Sequence, residues 1–64
     1  MKIIDGKFIF EVGDPVIDHA DTKRRVGLII VIEEDESGEK VLVVEAEGHP
    51  GQIWRILDKD ATLP

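Results

Sequence analysis

The sequence predicts an all-β protein, a small five-stranded barrel that occupies residues 1–64 as a single domain. Its apolar runs are short and rich in Val and Ile, clusters of turn-forming residues separate them, and no segment shows the apolar period of an amphipathic helix. A chain of 64 residues has room for one hydrophobic core only. We therefore expect one domain with a thin margin of stability.

The N-terminal segment predicts a β-hairpin. Asp5-Gly6 lies between the apolar runs 3–4 and 8–10, and an Asp-Gly pair in that position favours a two-residue turn. Gly13-Asp14-Pro15 predicts a corner, because proline fixes its own φ and moves the preceding residue away from helical geometry. A short extended pair, residues 16–17, follows.

Two longer strands are predicted to form a central hairpin. Residues 18–25 have no apolar period and predict a surface loop. Residues 25–34 and 40–47 are rich in β-branched side chains, and the polar segment 35–39 connects them. This hairpin is the longest regular structure that we expect.

The C-terminal part predicts one more strand and a short helical turn. Gly48-His49-Pro50-Gly51 interrupts regular structure, and 52–56 follows as a short strand. Residues 58–61 predict one turn of 3₁₀ helix, with Asp58 as its cap. The chain shows no internal repeat and no linker.

The register of the central hairpin determines which side chains face the core. If Glu34 pairs with Lys40 and the ladder continues without interruption, one face is entirely apolar and predicts the core. A shift by one residue sets Glu45 opposite Leu28, which predicts a desolvation cost. The preferred core face contains seven residues: Val26, Leu28, Ile30, Ile32, Leu42, Val44 and Ala46.

The opposite face of the hairpin predicts a protein interface. In the preferred register it carries four β-branched residues, Ile29, Val31, Val41 and Val43. Either the N-terminal hairpin folds over them, or they stay exposed, or they contact another protein. Contiguous apolar patches on small proteins mark contact sites, so we expect self-association or a partner protein at this face.

The charge balance argues against nucleic acid as the main partner. The formal net charge is -6, and residues 33–47 hold seven acids against the single base Lys40. Nucleic-acid affinity depends on cationic contacts with phosphate, which such a surface does not offer. The longest apolar run, 26–32, is also far shorter than the roughly 20 residues that span a bilayer, so no membrane partner is expected.

Candidate catalytic and metal-binding groups are sparse. Ser37 is the sole serine and lies in the acidic loop without a neighbouring histidine, and there is no cysteine. His19 with Asp18 and Asp21, joined by His49, is the one grouping that suggests a metal or a proton relay. The acidic segment 33–39 lacks the alternating ligand spacing of a calcium loop. We expect no catalytic residue, no cofactor and no metal, and hence no enzyme.

A second candidate surface combines one aromatic and four basic residues that could bind an anionic ligand. It consists of Lys23, Arg24, Arg25, Trp54 and Arg55. Arginine and tryptophan are enriched at binding hot spots, although a tryptophan in a chain with only two phenylalanines also suits the core.

Two apolar segments carry a resemblance to a known family. Together they resemble the front half of KOW and related SH3-like barrels. The first segment is Phe10-Glu11-Val12-Gly13-Asp14-Pro15-Val16, and the second, after a loop, is Arg25-Val26-Gly27-Leu28-Ile29-Ile30-Val31-Ile32. The strand from Lys40 and the Trp54 region look like small SH3-like proteins of bacteria and phages. The likeness covers roughly residues 8–57. It implies an SH3-like barrel and, in some members, binding to ribosomal RNA or transcription complexes.

These observations predict a non-enzymatic assembly or adaptor subunit that self-associates through the outer face of its central hairpin. The alternative is a nucleic-acid or ribosome-associated module of the KOW type. A third hypothesis is an acidic mimic of nucleic acid that inhibits a DNA-binding enzyme. Lack of cysteine is compatible with a reducing cytoplasm, so we expect a cytoplasmic protein, or a virion protein if a phage encodes it.

Overall fold

Seven strands in two antiparallel sheets make up the computed structural model, which describes residues 1–64. The smaller sheet pairs β1 (Lys2–Ile4) with β2 (Lys7–Ile9). The larger sheet has the order β6-β5-β4-β3-β7, built from β3 (Pro15–Asp18), β4 (Val26–Glu34), β5 (Lys40–Ala46), β6 (Ile53–Leu57) and β7 (Ala61–Thr62). The all-β prediction is confirmed.

The predicted five-stranded barrel is not closed. Strands β6 and β7 are the two free edges of the larger sheet, and no strand bridges them. Strand β7 has only two residues, and β1 and β2 pair with each other rather than with either edge. The architecture is therefore an open five-stranded sheet with a separate two-stranded hairpin, which we call the arm (residues 1–10).

The arm turns where the sequence predicts. Asp5 and Gly6 have φ of 51° and 76°, the left-handed pair of values that a two-residue type I′ turn requires. Aspartate tolerates this region and glycine enters it without steric cost. Ile3 consequently pairs with Phe8, and Ile4 with Lys7.

The central hairpin contains a β-bulge that the sequence analysis did not anticipate. Glu34 pairs with Lys40 and Val31 with Val43, as predicted, but Ile29 pairs with Val44 and Leu28 with Glu45. The extra residue, Ile30, interrupts the ladder between these two registers. The β4 residues that precede Ile30 therefore face the side of the sheet opposite to the predicted one.

The core lies on one face of the larger sheet, which we call the inner face. Its centre is six buried residues: Val16, Ile29, Leu42, Val44, Ile56 and Ala61. Phe10, Ile32 and Trp54 pack against this cluster. Three predicted core residues lie elsewhere: Val26 and Leu28 precede the bulge and share the outer face, and Ile30 lies at the bulge. Ile29, predicted to be on the outer face, is instead 1 % exposed.

The loop of the central hairpin is organised by one carboxylate. Asp35 Oδ1 accepts hydrogen bonds from the Ser37 amide, the Ser37 hydroxyl and the Glu39 amide. Gly38 completes the turn with a φ of 86°. The pKa of Asp35 is lowered, first by the Ser37 hydroxyl and then by the Glu39 amide. Ser37 thus contributes to the structure of the turn.

The predicted 3₁₀ turn is present at Asp58–Asp60, between β6 and β7. Its cap is not Asp58, as the sequence suggested. The N-cap position is Leu57, which makes no side-chain cap bond, and the turn closes with the Ala61 amide donating to the Asp58 carbonyl. No helix in the structure is long and apolar enough to cross a membrane.

Candidate interaction surface

The outer face of the larger sheet carries several exposed apolar side chains. Register places Leu28 on β4 beside Glu45 on β5, and Glu45 beside Ile53 on β6; Val31, Val43 and Arg55 form the next row. Leu28, Val31 and Ile53 are 49 %, 45 % and 53 % exposed, and Ile30 at the bulge is also exposed. These four residues, with Val41 and Val43, are called the outer patch below.

The bulge changes which residues of the predicted interface lie on the outer face. Val31, Val41 and Val43 do lie on the outer face, whereas Ile29 lies in the core. Leu28, Ile30 and Ile53 were missed as outer residues. Gly27, inside a strand otherwise filled with Val, Leu and Ile, is a sequence signal for irregular pairing or close backbone approach that could have indicated the change.

One ion pair crosses the outer patch. Arg55 Nε on β6 donates to Glu33 Oε1 on β4 at 3.0 Å. Strand β5 lies between those two strands, and Arg55 pairs with Val43 while Glu33 pairs with Val41. The pair therefore spans β5 diagonally near Val43, which is 7 % exposed although it points outward.

The arm leaves the outer patch uncovered. Phe10, at the end of the arm, packs against the core cluster on the inner face. Ile4 and Phe8 line a groove of about 510 Å³ whose other wall includes the inner-face residues Ile32 and Leu42. The arm consequently lies on the opposite side of the sheet from the outer patch.

Trp54 on the inner face is held by three neighbours. Its indole Nε1 donates to Asp18 Oδ2 at 2.9 Å, and the Asp18 carboxylate, which is buried, also accepts the Ala20 amide. The Arg25 guanidinium lies 4.2 Å from the ring centroid, a cation–π distance. A Cβ on Gly27 would lie 3.0 Å from the Trp54 ring, so the glycine makes room for the indole.

The second predicted surface is not brought together. Arg25 stacks on Trp54 and its Nε donates to Asp21 Oδ2 at 2.7 Å, whereas Arg55 lies on the opposite face of the sheet. The Arg25 side chain holds the pKa of Asp21 below its ordinary value. Arg24 donates to His19. Arg25 and Trp54 therefore lie together, Arg55 lies on the opposite face, and Lys23 and Arg24 belong to the loop before β4.

His19 makes structural contacts at both ring nitrogens. Arg24 Nη1 lies 2.8 Å from Nδ1, and Thr62 Oγ1 lies 2.6 Å from Nε2. Because a guanidinium only donates, Nδ1 accepts and Nε2–H donates to Thr62. His19 thereby links the loop after β3 to β7. No group of three or more His, Asp or Glu side chains is arranged to hold a metal ion.

Comparison with protein-family models, with curated proteins and with solved structures found no match.

Proposed function

We propose that this chain is a small non-enzymatic interaction protein, an assembly or adaptor subunit that self-associates through the outer patch. The observation that carries the proposal is the exposure of Leu28, Ile30 and Val31 along β4, on the outer face of an open sheet. Ile53 is exposed on the same face, beyond Glu45 of β5. Exposed apolar side chains grouped in this way are typical of protein contacts.

The composition of the outer patch supports the same function. The outer patch consists of apolar side chains, and the charged groups Glu33, Glu45 and Arg55 lie between them. Protein interfaces commonly combine apolar contacts with hydrogen-bonding groups. Burial of side chains as large as Leu or Ile stabilises by about 1.5–3 kcal/mol each, which is substantial for a domain of this size.

Sedimentation equilibrium tests the proposal. We expect the wild type to self-associate with rising concentration and Val31→Lys to be monomeric over the same range, because the lysine ammonium would have to be desolvated in the contact. Thr22→Lys adds the same charge in the exposed loop before β4 and is the matched control. A monomeric wild type, or equal association by the two lysine variants, contradicts the proposal.

A further inference from the structure

Strand β6 is an edge of the larger sheet, and its main chain alternates between paired and unpaired groups. The Ala46 amide donates to the Gln52 carbonyl just before β6 begins. Because hydrogen-bonded pairs alternate along an antiparallel ladder, the main-chain groups of Trp54 and Ile56 also face β5. The main-chain groups of the other β6 residues therefore face away from the sheet.

The outward main-chain groups of β6 have no partner in the molecule. They are the N–H and C=O groups of Ile53, Arg55 and Leu57. Strand β6 pairs with β5 alone, and no hydrogen bond from a turn or loop reaches these groups. They form a row of donors and acceptors with the spacing of a strand, which is the pattern that another extended chain matches.

This edge also lacks the features that prevent the addition of a further strand. Strand β6 contains no proline and no lysine, and its ladder with β5 continues without a bulge. Its one charged residue, Arg55, extends across β5 to Glu33 and thus away from the edge. Proteins commonly protect exposed edges with such residues or with bulges, so the edge of β6 is open to pairing.

The opposite edge of the larger sheet is different. Strand β7 consists of Ala61 and Thr62 only, and a very short edge strand offers few groups for pairing. Strand β6, with five residues, is therefore the edge of this sheet that can accept a further strand.

We infer that the edge of β6 is a docking site for an extended segment of a partner protein, which adds antiparallel to the larger sheet as a sixth strand. This inference goes beyond the proposed function, because it uses the main chain at the edge of the sheet rather than the outer patch. Main-chain hydrogen bonds hold such a segment, and side chains at alternate positions select it. Apolar or β-branched side chains in the segment would lie beside Ile53, Trp54 and Leu57.

A second copy of this chain fits the edge less well than a different protein does. Full antiparallel overlap of two β6 strands sets Arg55 opposite its counterpart, and like charges directly opposite each other destabilise a strand pair. Each copy also carries a formal net charge of -6, so two copies repel each other. The partner is consequently a different chain with an extended segment.

A peptide titration tests the inference. The probe is a capped peptide with the sequence of residues 40–46, because this sequence already pairs with the other side of β6. We expect the amides of Ile53, Arg55 and Leu57 in ¹⁵N-labelled protein to show the largest shifts on titration. The same peptide with N-methylated amides should bind about tenfold more weakly or not at all, since it has lost its main-chain donors. Absence of shifts at these amides with millimolar probe would overturn the inference.

A proline substitution tests the edge from the side of the protein. Arg55→Pro removes an outward N–H and leaves the hydrogen bonds to β5 in place. Arg55→Ala loses the same side chain and keeps the N–H, so it is the matched control. We expect Arg55→Pro to bind the probe about tenfold more weakly than Arg55→Ala; equal binding by the two variants contradicts the inference. If circular dichroism shows that Arg55→Pro does not fold, Ile53→Pro and Ile53→Ala replace the pair.

Sedimentation of the same variants separates this inference from the proposed function. A monomeric wild type that binds the probe at β6 supports the docking edge and removes self-association through the outer patch. If Arg55→Pro abolishes self-association while Arg55→Ala and Val31→Lys retain it, a second copy occupies the edge, and the assignment to a different protein is overturned.

Discussion

Arg55 and Glu33 form an ion pair across a strand that belongs to neither of them. The Arg55 Nε lies 3.0 Å from Glu33 Oε1, and strand β5 runs between β6 and β4. The contact partly accounts for the low exposure of Val43 on an otherwise open face. It places a charged, solvent-accessible pair directly within the outer patch.

The ion pair should contribute little to stability. Exposed pairs measured by double-mutant cycles give about 0.2–1 kcal/mol. We expect a cycle of Arg55→Ala and Glu33→Ala, measured by urea unfolding at low salt, to give a coupling energy in that range that decreases with added salt. A coupling well above 1 kcal/mol would show that the pair is effectively shielded from water.

Gly27 should not tolerate a methyl group. A Cβ at this position would lie 2.7 Å from the Glu45 carbonyl oxygen and 3.0 Å from the Trp54 ring. Because the nearest atom belongs to the backbone, the strand must shift, and overpacking of this kind costs about 1–3 kcal/mol. Gly27→Ala should lower the unfolding free energy by that amount, whereas Glu34→Ala at the exposed end of the same strand should change it much less.

Asp18 should stabilise the fold through Trp54. Asp18→Ala removes the acceptor of the indole N–H and leaves a partly buried donor without its partner. An unsatisfied buried donor costs about 1–3 kcal/mol. Urea unfolding of Asp18→Ala should show a loss in this range. Asp60→Ala, which removes a carboxylate without a recorded side-chain hydrogen bond, is the control, and an equal loss in both variants would contradict the assigned role.

Asp35 should make stability depend on pH in the acid range. Its pKa in the folded state is lowered by the hydroxyl and amides that it accepts, so the unfolded chain takes up the proton at higher pH than the folded chain. The stabilisation is present above the ordinary aspartate pKa of about 4. It is lost as the pH falls through the lower pKa of the folded state. Asp35→Ala should lose less stability than wild type between pH 5 and about 2.

The matched control for the acid titration is Glu36→Ala, in the same loop. The Glu36 side chain accepts no hydrogen bond, so its removal should leave the pH dependence of the urea midpoint close to that of wild type. Identical slopes for Asp35→Ala and wild type would show that the loop carboxylate does not titrate differently in the two states.

Local signals in the sequence identified the longer strands but neither the two-residue strand β7 nor the faces of β4. Asp5-Gly6, the polar loop 35–39 and the breaker at 48–51 each force a turn by their own chemistry, so the strands between them were predictable. Residues 29–32 are Ile, Ile, Val and Ile, and therefore look alike in either register. The bulge chooses between registers through contacts with other strands, which a period-two pattern does not encode.

The same distinction applies to the interface and to barrel closure. An apolar outer face was predictable, because both candidate registers leave β-branched residues on it. Which residues lie on that face depends on the bulge at Ile30. Burial of Asp18 depends on Trp54, 36 residues away. The open edges at β6 and β7 are likewise a non-local property, since closure depends on where the arm packs.

Concentration-dependent chemical shifts of the backbone amides test self-association through the outer patch. As the uniformly ¹⁵N-labelled protein is diluted, we expect the amides of Leu28, Val31 and Ile53 to shift together, because they leave the contact as copies separate. Shifts confined to surfaces away from the outer patch, or spectra that do not change with concentration, would contradict self-association through this face.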